Sequence, residues 1–117
     1  MCDYRCGSIW LVNFDPLGTE IRKTRPALII SPTDFNQVRS KVTLLPISSA
    51  KVKVKTIQPV VVEVKPSSIN GLTLNSIVIA IKPNTFDKKI LVKYLGILES
   101  ELMKQVESIF QTFFKVE

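Results

Sequence analysis

The chain has 117 residues, a formal net charge of +6 and no histidine. This length suits a single domain, residues 1–117, that is long enough to bury a core of its own. The lack of histidine excludes Ser-His-Asp and Cys-His catalysis, and the basic balance favours an anionic partner, either a nucleic acid or an acidic protein segment.

Two cysteines, Cys2 and Cys6, stand at the N-terminal edge of the chain. A zinc site needs about four ligands, and there is no histidine to complete one. A disulfide across so short a segment would add little stability, so we interpret both cysteines as reduced thiols. No apolar run approaches the length of a membrane span. We therefore predict a soluble, cytoplasmic protein.

Six short apolar segments have the length and composition of β-strands. In chain order they are Ile9–Phe14, Ala27–Ile30, Val42–Ile47, Val60–Val64, Ile77–Ile81 and Ile90–Leu95. Pro16 ends the first of them, and Pro46 places the third near a sheet edge or a bulge. Between strands, Thr33–Val38 predicts a turn or one helical turn, and Asn70-Gly71 predicts a tight turn.

The C-terminal segment changes to a helical period. Apolar residues recur there at intervals of three and four, namely Leu98, Leu102, Val106, Ile109, Phe110 and Phe113. Polar residues fill the other face, so we predict an amphipathic helix from about Glu99 to about Phe114. Six short strands and one terminal helix together predict a mainly β fold, a small antiparallel barrel capped by a helix.

The segment Gly18–Pro26 concentrates charge between the first two predicted strands. It contains Glu20, Arg22, Lys23 and Arg25. Loops held by a rigid scaffold often carry binding and catalytic groups. The alternative is a solvated surface turn, since clustered charges usually face water.

A series of short motifs runs from about Gly7 to about Phe114. They are Gly7-Ser8-Ile9-Trp10, Asn13-Phe14-Asp15-Pro16, Gly18-Thr19-Glu20, Arg25-Pro26-Ala27, Ile30-Ser31-Pro32, Pro46-Ile47-Ser48, Asn70-Gly71-Leu72 and Thr85-Phe86-Asp87-Lys88. In this order and spacing they resemble the MazF/PemK/Kid family of toxin–antitoxin endoribonucleases. The resemblance implies an SH3-like, CcdB-like antiparallel β-barrel with one C-terminal α-helix.

The resemblance also implies an activity. Members of this family cut single-stranded RNA, such as mRNA, at short sequences without a metal or other cofactor, leaving 2′,3′-cyclic phosphate and 5′-OH ends. It further implies a homodimer that a cognate antitoxin inhibits through an acidic, disordered C-terminal tail. Two alternatives stay open: a DNA gyrase inhibitor of the CcdB type on the same fold, and a toxin that has lost catalysis and only binds RNA or antitoxin.

Three residues match catalytic positions of the family. Arg25 would stabilise charge on the phosphate, and Ser48, where relatives usually have Thr, would bond a non-bridging oxygen or the 2′-OH. Glu20 is the best carboxylate for a general base. Each has a structural alternative: Arg25 paired with a carboxylate, Ser48 bonded to its own backbone, and Glu20 paired with Arg25 or Arg22.

We predict RNA contacts at seven further positions: Thr19, Arg22, Lys23, Lys51, Lys53, Lys82 and Asn84. Lys51 and Lys53 alternate with valines, which also fits a strand edge guarded by lysines. Trp10 and Phe14 fit the core better than a base-stacking platform.

Two residues depart from the family pattern. Ile21 stands where relatives usually have Gln, and Ile81 where Kid-like members have an Asp that does the proton work. A Kid-type mechanism is therefore not expected, and base recognition should differ.

Overall fold

The computed structural model describes residues 4–13, 24–49 and 60–114, and the main element within them is an antiparallel β-sheet. Within these ranges there are seven strands, two α-helices and one 3-10 turn. The strands are β1 (Ser8–Asn13), β2 (Thr24–Ile29), β3 (Lys41–Ser49), β4 (Val61–Val64), β5 (Ser76–Ile79), β6 (Asn84–Asp87) and β7 (Leu91–Ile97). The helices are α1 (Thr33–Val38) and α2 (Ser100–Phe113), and the 3-10 turn is Lys88–Ile90.

The strands follow the order β4-β5-β3-β2-β1-β7, and β6 also pairs with β3. All pairings are antiparallel. The predicted fold class, a mainly β antiparallel sheet with one C-terminal helix, is confirmed. The described ladders do not join β4 to β7, so the sheet is curled rather than fully closed. The gap is bridged by a loop, in which the Ile69 carbonyl accepts from the Ile97 N–H at 2.9 Å.

Strand β3 organises the sheet because it changes partner along its length. One edge pairs with β2, while the other pairs with β6 over Lys41–Leu44 and with β5 over Ile47–Ser49. Pro46 lies between those two stretches, so no rung to β5 or β6 depends on its missing N–H. The strand is therefore interior, and the prediction of an edge position was wrong. The proline marks the change of partner instead.

All six predicted strands are present, with ends shifted by one or a few residues. The sequence did not predict β6, since Asn84–Asp87 has no apolar run. Its backbone pairs with residues 41–44 of β3. Of the two predictions for Thr33–Val38, a turn or one helical turn, the structure shows a short helix, α1, of six residues. Gly71 has the positive φ of +72° that the Asn-Gly turn requires.

Both faces of the sheet are buried. On one face Ile9, Leu28 and Leu45 form a cluster with Val106 of α2. The other face buries a second cluster around Trp10, whose ring stacks on Tyr4 at 5.3 Å between centroids. Trp10 is only 5% exposed, so the prediction that it belongs to the core is confirmed. Phe14 lies outside the described residues.

Helix α2 confirms the predicted amphipathic segment, with one correction at its end. Val106 is fully buried, and Leu102 and Ile109 pack against the same cluster. Phe113, however, is 54% exposed and packs edge-on against Phe114 rather than against the core. The apolar stripe thus continues past the region that the sheet covers. Within the described part of the chain, neither helix has the length and apolar character to cross a membrane.

Candidate functional site

A cleft opens where β2 and β3 separate. Their ladder covers Ala27–Ile29 against residues 44–46. Beyond Pro26, β2 continues along β1, whereas β3 continues along β5. The gap between the diverging strands is a cavity of about 520 Å³, bounded also by residues 71–74 and by β7. The partner change in β3 therefore creates the cleft.

Arg25 and Ser48 both line this cleft. Arg25 is exposed near the start of β2, opposite Val12 of β1. Ser48 is half-buried near the end of β3, opposite Ile77 of β5. Two of the three predicted catalytic residues, 23 positions apart in the sequence, are thus brought to one cavity.

The rest of the lining combines hydroxyl groups with an apolar surface. Ser49, Thr73 and Ser76 add hydroxyl groups beside Ser48. The apolar part comes from Leu11, Ile47, Leu72, Leu74 and Leu95. A guanidinium grips two oxygens of a phosphate in parallel, while an apolar wall accepts the face of a ring. This lining suits a ligand that carries both an anion and a flat apolar group.

The loop that forms one wall of the cleft, Gly71–Leu74, is attached to a buried asparagine. Asn70 is 0% exposed. Its Nδ2 donates to the Lys65 carbonyl at 2.9 Å and to Glu99 Oε1 at 3.1 Å. Its Oδ1 accepts from the backbone N–H groups of Ser67 at 3.1 Å and Leu72 at 2.9 Å. We call Asn70, Ser67 and Glu99 the Asn70 cluster.

Glu99, the residue immediately before α2, completes this cluster. Its Oε2 accepts from the Ser67 hydroxyl at 2.6 Å. Burial alone would raise the pKa of Glu99, but hydrogen bonds from Ser67, its own backbone N–H and Asn70 favour the charged form, and the net pKa is lowered. The sequence placed Glu99 on the polar face of the helix, because periodicity identifies a face and not a partner.

The same loop lies directly against the backbone of β7. A Cβ built on Gly71 would lie 2.0 Å from the Leu95 carbonyl oxygen, and one on Gly96 would lie 2.3 Å from the Ile69 carbonyl oxygen. No side chain fits at either position without moving the backbone. The two glycines thus let the wall of the cleft pack on the last strand.

The other predicted site residues are not at this cavity or are not described. Lys82 and Asn84 are exposed, on the connection after β5 and at the start of β6, and they are not part of the cleft lining. Ile81 is half-buried in the turn after β5 and also lies outside that lining. Outside the described residues lie Glu20, Thr19, Ile21, Arg22, Lys23, Lys51 and Lys53.

Cys6 is half-buried, and its Sγ donates to the Ile30 carbonyl at 3.4 Å. Burial, and then the charge of Glu107, raise the pKa of this thiol, which keeps it protonated near neutral pH. Cys2 lies outside the described residues. In residues 4–13, 24–49 and 60–114, no three His, Cys, Asp or Glu side chains are grouped so as to hold a metal ion.

Solved structures share this architecture. A MazF from Deinococcus radiodurans superposes with a TM-score of 0.75 at 21% identity, covering 96% of each chain. An endoribonuclease from a mycobacterial species, in complex with its cognate antitoxin, gives a TM-score of 0.74 at 21% identity over 100% of this chain and 98% of that one. At such identities the likeness shows a common fold.

Sequence comparison is more specific. A stretch of 48 residues is 44% identical to the endoribonuclease PemK of Escherichia coli, which is 40% of this chain and 36% of that protein. This chain thus matches only about a third of that curated relative's length. The family model described as PemK-like, MazF-like toxin of type II toxin-antitoxin system matches residues 5–114. That match spans nearly the whole chain, including both strands that carry Arg25 and Ser48, and the chain belongs to this family of PemK-like, MazF-like toxins.

Proposed function

We propose that the protein is the toxin of a type II toxin–antitoxin system and cleaves single-stranded RNA, mRNA in particular, at short sequences. The observation that carries the proposal is the cleft between β2 and β3, which Arg25 and Ser48 both line together with an apolar surface. A phosphate with its neighbouring bases has the mixed character that this lining suits. The names of similar proteins, endoribonuclease PemK and an endoribonuclease with its antitoxin, support the same activity. A gyrase inhibitor is not favoured.

The reaction needs no metal, because RNA carries its own nucleophile. The 2′-OH attacks the adjacent phosphorus and loses its proton, and the P–O5′ bond breaks as the leaving oxygen gains one. The products are a 2′,3′-cyclic phosphate and a 5′-OH end. On the way to these products the reaction passes through a phosphorane, whose extra negative charge must be stabilised.

Arg25 is proposed to stabilise that charge. A guanidinium has five N–H donors and no acceptor, so Arg25 is proposed to donate hydrogen bonds and not to act as a base. Its exposed position at the cleft leaves it open to a phosphate. The half-buried Ser48 is proposed to donate its hydroxyl to a non-bridging oxygen or to orient the 2′-OH.

The role of Glu20 is assigned from the family pattern, and the other RNA contacts from residue type and position in the sequence. Glu20 is proposed as the general base, for which it must come within about 3 Å of the 2′-OH, directly or through one water. RNA contacts are proposed for Thr19, Arg22, Lys23, Lys51, Lys53, Lys82 and Asn84, with phosphate steering by Arg22 and Lys23. Since Lys82 and Asn84 lie outside the cleft, they would meet nucleotides away from the cleaved bond.

The partners are proposed on the same basis. The net charge of +6 favours both RNA and the acidic, disordered tail of a cognate antitoxin. An mRNA substrate places the toxin in the cytoplasm, and we propose that it acts as a homodimer.

The test is cleavage of a defined RNA in EDTA, with mapping of both new ends. We expect cyclic phosphate and 5′-OH ends from the wild type and a loss of about 10²–10³ in rate for Arg25→Ala. Arg39→Ala is the matched control, because Arg39 is exposed, follows α1 and lies 4.9 Å from the Phe35 ring, outside the cleft. No cleavage by the wild type, or an unchanged rate for Arg25→Ala, would contradict the proposal.

A further inference from the structure

We propose that Asn70 and Glu99 are positioning residues for cleavage: they fix the loop Gly71–Leu74, and this loop sets the wall against which RNA is held beside Arg25 and Ser48. The inference rests on the proposed ribonuclease function and adds residues that lie outside the cleft. Neither Asn70 nor Glu99 lines the cleft. Glu99 lines a separate cavity, together with Ser67 and Glu101, and the route that we propose from it to the cleft is the loop.

The first end of the loop is fixed by the Asn70 cluster. The Leu72 N–H donates to Asn70 Oδ1 at 2.9 Å, and the Gly71 N–H donates to the Ser67 carbonyl at 3.0 Å. Leu72 and Gly71 are both cleft residues. The cluster therefore acts on the wall through backbone groups, which leave little freedom to adjust.

The second end is fixed at the start of β5. The Ser76 hydroxyl donates to the Leu74 carbonyl at 2.8 Å. Ser76 pairs in register with Ser49, the residue after Ser48. The loop is thus attached, through β5, to β3, the strand that carries Ser48. Its other end is held by the Asn70 cluster.

Glu99 supplies the fixed point of the cluster. It immediately precedes α2, which is held on the sheet by Val106. Its carboxylate accepts from Ser67 Oγ at 2.6 Å and from Asn70 Nδ2 at 3.1 Å. Without it, Asn70 keeps the Lys65 carbonyl as an acceptor for Nδ2 but loses its link to the helix. The first end of the loop then loses its attachment to α2, while its attachments to β5 and β7 remain.

The wall itself has a surface suited to a nucleotide. Leu74 is 60% exposed on a cleft that also holds Arg25. A large apolar side chain left open beside a cation offers contact to a base whose phosphate the cation binds. A small displacement of this wall changes how the strand is seated, and misplacement by about 1 Å can reduce a rate about 100-fold.

The experiment measures kcat and KM for a short RNA substrate with Glu99→Ala, Glu99→Gln and Glu101→Ala. We expect kcat/KM to fall roughly tenfold for Glu99→Ala, mainly through a higher KM, because seating of RNA is impaired. Glu99→Gln keeps an acceptor oxygen and is expected to restore most of the loss. Glu101→Ala, exposed in the first turn of the same helix, is the matched control and should behave as the wild type.

Amide hydrogen exchange of residues 71–74 is measured on the same proteins. We expect faster exchange in Glu99→Ala and an unchanged rate in β2 and β3. A purely structural loss would lower the concentration of folded enzyme, and hence the apparent kcat, without changing KM. The rise in KM therefore separates positioning from stability.

An unchanged KM in Glu99→Ala, with the loop exchanging faster, would overturn the inference and leave the ribonuclease function standing. Absence of cleavage by the wild type would overturn both. If Glu99→Ala does not fold, Ser67→Ala replaces it. This change removes the 2.6 Å bond to the carboxylate and the oxygen that accepts from the backbone N–H groups of Ile69 at 3.2 Å and Asn70 at 3.1 Å, but it leaves Asn70 bonded to Glu99. We then expect a KM about threefold higher, since the bond between Asn70 and Glu99 still holds part of the cluster, and an unchanged KM would overturn the inference.

Discussion

Two buried asparagines hold two different parts of this molecule, and both are 0% exposed. Asn36 donates to the carbonyls of Tyr4 at 2.7 Å and Ser31 at 2.8 Å, and so joins the N-terminal segment to α1. None of these residues lines the cleft. Asn70, in contrast, holds the cleft wall and shares its amide with the carboxylate of Glu99. Asn36 thus bonds neutral groups within the scaffold, whereas Asn70 bonds an ionised carboxylate beside the site.

The largest effect is expected at the glycine that follows Asn70. Gly71→Ala would place a Cβ 2.0 Å from the Leu95 oxygen at a φ of +72°, and we expect a loss of at least about 3 kcal/mol in the free energy of unfolding. Gly7→Ala is the control near the Asn36 region, since its Cβ would meet only Met103 Sδ at 3.8 Å. Its expected loss is about 1–2 kcal/mol, from the positive φ alone. Urea unfolding measures both, and equal losses would show that the loop yields.

The comparison itself is tested by Asn36→Ala and Asn70→Ala. Each leaves buried backbone groups without a partner, so both should lose about 1–3 kcal/mol of stability in urea unfolding. Of these two variants, Asn70→Ala alone should raise the KM for RNA, because Asn70, unlike Asn36, bonds the loop Gly71–Leu74. A similar rise in KM for Asn36→Ala would remove the distinction between the two regions.

Ser48→Ala tests whether a residue that lines the cleft affects kcat, in contrast to Asn70 and Glu99, which are expected to affect KM. Loss of a hydrogen bond to a charged phosphate should lower kcat about 10- to 100-fold, with little change in KM. Ser108→Ala, exposed on α2, is the matched control. A change in KM alone would assign Ser48 to binding rather than to the reaction. Single-turnover cleavage distinguishes the two.

The smallest effect is expected from pH. The pKa of Glu99 is lowered in the folded protein, so its contribution to stability is present above the pKa of the unfolded chain and is lost as the pH falls through the folded pKa. Glu99→Gln should therefore lose less stability than the wild type between neutral pH and about pH 3. Urea unfolding at both pH values provides the comparison. An identical decline in both proteins would mean that the carboxylate charge contributes nothing to the Asn70 cluster.

The sequence predicted the apolar strands and the amphipathic helix because each has a local pattern. It did not predict β6, since Asn84–Asp87 is a strand only by virtue of its pairing with β3. It predicted a turn at Asn70 and the start of a helix near Glu99, but not the bond between them, because a hydrogen bond between positions 29 apart leaves no local signal. Family resemblance alone predicted that Arg25 and Ser48 belong to one site, since the cleft depends on the change of partner at Pro46.

That change of partner has a consequence for the order in which the cleft forms during synthesis. Arg25 and Ser48 leave the ribosome early, but β5 and β7, which complete the lining, lie at Ser76–Ile79 and Leu91–Ile97. Bringing such distant segments together requires closure of long loops, which must precede the contacts that stabilise them. A nascent chain ending before β5 therefore contains the proposed catalytic pair without the cleft. The cleft is assembled only once both β5 and β7 have been made.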